Sequence, residues 1–90
     1  MSENRETKIK RLHMRSIRRG IKEMDLILTD YAERHLPLLG DEELALYDRL
    51  LQESDHDIYG WITGHIATPS QYVDMLAVIK AGAQGLTRPK

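Results

Sequence analysis

The chain has 90 residues, 41% of them hydrophobic and 30% charged, with no cysteine and a formal net charge of −1. That length allows one domain burying on the order of 60–65% of its unfolded surface. The missing thiols exclude disulfides, thiolate zinc sites and cysteine nucleophiles, and no apolar run is long enough to cross a bilayer.

The near-neutral total hides a dipolar chain. Residues 1–22 carry eight basic side chains against Glu3 and Glu6, whereas residues 23–74 carry twelve acidic ones against Arg34 and Arg49. Residues 1–6 have nothing apolar to tie them down and read as a flexible N-terminus. From about Thr7 to Arg18, the spacing of Ile9, Leu12 and Ile17 predicts a short amphipathic helix with basic residues between its apolar positions. Arg18 and Arg19 fall in its last turn, where cations meet the negative end of the helix dipole. Gly20 then separates it from a second helix, Ile21 to about His35. Its wide apolar stripe is Ile21, Met24, Ile27, Leu28, Tyr31 and His35, and Pro37 ends it.

Gly40-Asp41-Glu42-Glu43 is an acidic helix start leading into Leu44, Leu46, Tyr47, Leu50 and Leu51. A fourth helix follows Ser54 or Asp55 as N-cap, with Ile58, Trp61, Ile62 and His65 on one side and Gly64 as its stop. Gly60 inside it weakens the helix. Thr68-Pro69-Ser70-Gln71 has the form of a capping box with proline at the first helical position. The fifth helix shows Tyr72, Met75, Leu76 and Ile79, and Gly82 closes it, leaving 83–90 as a loose tail. With no two-residue alternation anywhere, the fold class is all-α: a compact single-domain bundle of five short helices over 7–82.

Candidate chemistry is sparse. His13, His35, His56 and His65 show no helical pairing with one another, and there is no phosphate-binding glycine loop and no nucleophile elbow. A basic first helix can meet phosphates, so a small nucleic-acid-binding regulator is one reading. The acidic remainder of the chain opposes it, and a basic face docking on an acidic protein surface is a better use of such a helix.

Two stretches stand out. In Arg18-Arg19-Gly20-Ile21-Lys22-Glu23, one reading is helix end, turn and helix start. The other is a pair of opposite charges flanking a bare backbone that another protein approaches. In Asp55-His56-Asp57-Ile58-Tyr59-Gly60-Trp61, one reading is a capped helix with Trp61 as core anchor, and the other is an acidic edge beside an aromatic contact.

Arg19-Gly20-x-x-Glu23, continuing into Met24 and Asp25, together with Asp55-x-Asp57-Ile58-Tyr59-x-Trp61, resembles the succinate dehydrogenase assembly factor (flavinylation factor) family over residues 8–82. Its members commonly read RGxxELD in the first segment and have proline where His56 stands in the second. The resemblance implies a five-helix protein that binds the flavoprotein subunit of succinate dehydrogenase, and in some bacteria that of fumarate reductase. It promotes covalent attachment of FAD to a histidine of that subunit.

The resemblance also implies a chaperone-like factor with no active site of its own and no stably bound cofactor, the FAD belonging to the client. It implies no nucleic-acid partner and no membrane insertion, against the alternative of a nucleic-acid-binding regulator. Carried over by position, Arg19, Gly20 and Glu23 form the client-binding surface, with Gly20 permitting close approach and Arg19 and Glu23 bonding client groups. Asp25 belongs to the same patch, and Asp57 and Trp61 either extend it or stabilise the fourth helix. The absence of a transit peptide from this N-terminus points to a bacterial cytoplasmic member of the family.

Overall fold

A computed structural model describes residues 3–87. Among them are five α-helices: α1 (Arg5–Ser16), α2 (Lys22–His35), α3 (Asp41–Leu51), α4 (Asp55–Thr63) and α5 (Val73–Thr87). Short 3-10 turns at Leu36–Leu38 and Ser70–Tyr72 follow α2 and precede α5. The all-α, five-helix architecture is therefore the one expected.

The second helix is the central element. Met24, Ile27, Leu28, Tyr31 and Ala32 recur on one face of α2 and are buried, each large side chain contributing on the order of 1.5–3 kcal/mol by leaving water. Along that face α2 packs on α5, which contributes Met75, Leu76, Ile79 and Ala83. The first helix packs on α2 and α3, and α4 on α5. Tyr47 of α3 is fully buried, and its hydroxyl lies 2.7 Å from the buried Ser16 Oγ at the end of α1. Elsewhere in the core Trp61 of α4 lies against Tyr72, with ring centroids 5.6 Å apart, and the Tyr72 hydroxyl donates to Glu53 Oε2 at 2.9 Å.

Several helix ends differ from those expected, for reasons that range from a local cap to tertiary burial. The first helix starts at Arg5 rather than Thr7, because Asn4 caps it: its side chain accepts from the Thr7 amide at 2.7 Å. It also stops at Ser16, short of Arg18 and Arg19, since Ile17 is extended and Arg18 adopts a left-handed φ of 56°.

Thr68 and Gln71 form no capping box. Pro69 is extended and precedes a 3-10 turn closed by Tyr72 N–H to Pro69 O at 3.0 Å, so α5 begins only at Val73. Nor does Gly82 end α5, which continues to Thr87. Burial of Ile79 and Ala83 against α2 offsets the roughly 1 kcal/mol that glycine costs inside a helix. The rest of the tail, 88–90, lies outside the described residues. Ser54, not Asp55, is the N-cap of α4, and Gly64 ends it in the left-handed conformation (φ 84°).

Candidate functional site

The five residues between α1 and α2, Ile17 to Ile21, form a junction whose shape is set by two carboxylates reaching in from other positions. Asp25, in the first turn of α2, accepts the backbone N–H of Arg18 through Oδ1. That bond steadies a left-handed conformation costing a non-glycine residue on the order of 1–2 kcal/mol. The turn residue is thus Arg18, and Gly20 has no left-handed φ.

Asp55, the first residue of α4, does more. Its Oδ1 lies 2.8 Å from Arg19 Nε and 2.7 Å from Nη2, while its Oδ2 accepts the Gly20 N–H at 2.7 Å. A carboxylate at a helix N-terminus is also favoured by the helix dipole. The guanidinium of Arg19 donates further to Arg15 O (2.9 Å) and Leu51 O (3.2 Å). Side-chain exposure is only 12% for Arg19 and 18% for Asp55. A pair this sheltered is costly to break from one side, because the other charge is left buried without a partner.

Gly20 also has an intramolecular reason for lacking a side chain. A Cβ there would lie 3.0 Å from Asp55 Oδ2, the atom holding its amide. On the outer side Gly20, Arg18, Lys22 and Glu23 are exposed.

The structure gathers Arg19, Gly20 and Asp25 into one junction and puts Glu23 in the first turn of α2 beside it. Asp57 is exposed in the first turn of α4, two residues from Asp55. Trp61 stands apart: it is 7% exposed and belongs to the core with Tyr72. Sequence reasoning passed over Asp55 as a site residue, although a carboxylate opening the second motif was the available signal for a partner to Arg19.

Much of the basic first helix is bound within the chain. Arg11 is held by Glu3 (2.8 Å) and Asp48 (3.0 Å). Hydrogen bonds from Arg11 keep both carboxyls below their ordinary pKa, and the two carboxylates raise that of Arg11. Arg5 donates to Pro37 O at 3.0 Å, and Arg15 lies 3.9 Å from Asp48. Among the described residues no three His, Asp or Glu side chains are grouped to hold a metal ion, and no helix is long and apolar enough to cross a membrane.

The family model described as "Flavinator of succinate dehydrogenase" matches residues 10–83. The chain is 52% identical over 61 residues to "Succinate dehydrogenase assembly factor 2, mitochondrial" of Meyerozyma guilliermondii, covering 68% of this chain and 45% of the relative. To the protein of that name from Mycosarcoma maydis it is 45% identical over 71 residues, covering 79% of this chain and 30% of the relative. To "Succinate dehydrogenase assembly factor 2-A, mitochondrial" of Drosophila yakuba it is 37% identical over 89 residues, covering 92% of this chain and 55% of the relative.

The chain thus spans between 30% and 55% of the length of these relatives. Their names place them in mitochondria, which overturns the expectation of a bacterial cytoplasmic protein. That expectation rested on a missing leader, and a chain matching only part of its relatives carries no information about what precedes its first residue. By the match over residues 10–83, the chain belongs to the family of flavinators, or assembly factors, of succinate dehydrogenase.

Proposed function

We propose that this chain binds the flavoprotein subunit of succinate dehydrogenase and promotes covalent attachment of FAD to it, without contributing a reacting group. One observation carries the reading: Asp55 holds Arg19 inward and the Gly20 amide fixed, at 2.8 and 2.7 Å, so the exposed backbone at Gly20 is rigid before any partner arrives. A preorganised surface loses little conformational entropy on docking.

In this reading Arg19 shapes the surface rather than contacting the client. Gly20 offers the close approach, while Glu23, Asp25 and Asp57 supply carboxylates to client donors, and Trp61 keeps α4, and with it Asp55, in register. The bond between imidazole and flavin is the client's own chemistry. The factor raises its rate by holding the client in a conformation where the two groups are aligned, a contribution of positioning alone.

The reading is tested by gel filtration of the chain with the purified flavoprotein subunit. A complex with the wild type that is lost on Glu23→Lys and on Gly20→Arg is expected. A complex kept by both variants contradicts the surface assigned here.

A further inference from the structure

At the other end of α2 from the junction lies a groove of about 490 Å³ between α2, α3 and α5. Asp25 and His35 stand ten positions apart on α2, about 15 Å along the axis, and no residue of the junction lines the groove, so it is a second surface and not an extension of the first. Its floor is apolar. Tyr31 and Met75 are buried beneath it, Leu39 and Leu46 are half-buried at its sides, and Val78 is 45% exposed at its edge. His35 stacks on Tyr31 with ring centroids 4.8 Å apart.

The rim is acidic: Glu43 from the first turn of α3 and Asp74 from the first turn of α5, both exposed, with no lysine or arginine among the described residues that line it. Glu43 accepts the Gly40 N–H at 3.2 Å, which fixes its position. An acidic segment entering this groove would be repelled. A wholly apolar one would strip water from two carboxylates and offer no counter-charge. A segment with an apolar side chain flanked by lysine or arginine satisfies both floor and rim.

We propose that this groove is a docking site for a cationic amphipathic segment of a protein partner, its apolar side chain over Tyr31 and Met75 and its basic side chains on Glu43 and Asp74. The inference does not depend on the identity of the client at the junction.

The chain's own methionines supply the test. With methyl-labelled methionine, Met75 reports the groove, Met24 the core beneath the start of α2, and Met14, 65% exposed on α1, reports nonspecific surface binding. A short amphipathic peptide of lysine and leucine is titrated into the full chain, beside a glutamate–leucine peptide of the same pattern. The Met75 resonance should shift saturably with the lysine peptide while Met14 stays in place, and the glutamate peptide should move neither. Asp74→Lys and Val78→Lys, both at exposed positions, should each weaken that binding about tenfold or more. Equal shifts at Met14 and Met75, equal response to the two peptides, or unchanged affinity in both variants would overturn the proposal. A Met75 shift that depends on protein concentration without peptide would overturn it in favour of a second copy of the chain.

Discussion

The carboxylate of Asp55 binds the side chain of Arg19 with one oxygen and the backbone amide of Gly20 with the other. These groups are brought together across 36 and 35 positions of sequence. One side chain thereby ties the start of α4 to the junction of α1 and α2, and the orientation of the exposed Gly20 backbone depends on it.

Asp55→Ala should therefore destabilise the chain by about 3 kcal/mol, since it leaves the sheltered Arg19 guanidinium and the Gly20 amide without their acceptor. It should also abolish docking of the flavoprotein subunit. Arg19→Lys should fare nearly as badly, because an ammonium group cannot reach Asp55, Arg15 O and Leu51 O together as the planar guanidinium does. Urea denaturation and a binding titration on the same variants check both effects.

Gly20 separates shape from fold. Gly20→Ala brings a methyl to 3.0 Å from Asp55 Oδ2, so the carboxylate must yield a few tenths of an ångström. The restricted unfolded chain returns about 0.4–1 kcal/mol. Its melting temperature should lie within a few degrees of the wild type, while Gly20→Arg, though folded, should lose the client. Thermal melts beside gel filtration distinguish the two outcomes.

Gly60 is not a weak point of α4, as its place inside a helix suggested. It is buried, and a Cβ there would run into the Ile66 side chain, with Ile66 Cγ1 at 2.7 Å. Gly60→Ala should lower stability by about 1 kcal/mol, a shift of roughly 4–8 °C in melting temperature. In an Ile66→Ala background the same change should become nearly neutral, because Cδ1 and Cγ1 are gone, only the Cβ at 3.3 Å remains, and helix propensity favours alanine. A double-mutant cycle reads the coupling directly.

Three buried phenols make the fold sensitive to alkali, among them Tyr72, which burial and then its bond to Glu53 raise. Burial, assisted by the charge of Glu43, pushes Tyr31 up to about 12. Burial also raises Tyr47 well above its ordinary 10.0, against the opposing effect of its bond to Ser16. The unfolded chain releases these protons from about pH 10, whereas the folded chain keeps them. Stability is thus fully present below pH 10 and falls as pH rises through the window up to about 12 and beyond. Denaturant midpoints measured from neutral pH to about pH 11 should decline, and less steeply in Tyr47→Phe. That variant leaves Ser16 its bond to Leu12 O at 2.8 Å.

The helices were legible because their apolar spacing is strong: Met24, Ile27, Leu28 and Tyr31 mark the buried face of α2 directly. Their ends were less so, since some are decided by a local cap such as Asn4 and others by a contact from another element or by tertiary burial. Arg18 takes the left-handed turn expected of glycine because Asp25 holds its amide. The capping pattern at Thr68 gives way to a tighter turn leading into the buried Tyr72. At the site, motif spacing singled out Arg19 and Gly20, but their shared dependence on Asp55 appears only when α4 is folded against the junction. Exposure of Glu23 and burial of Trp61 were likewise beyond what spacing alone resolves.

The central claim is tested most directly by covalent flavin on the succinate dehydrogenase flavoprotein subunit, read as in-gel fluorescence. That subunit is expressed in a host without any such factor, alone, with this chain, or with its Gly20→Arg or Asp55→Ala variant. Fluorescence restored by the wild type and lost in both variants is the predicted result. Equal fluorescence in all four, or full activity of Asp55→Ala, would contradict the account.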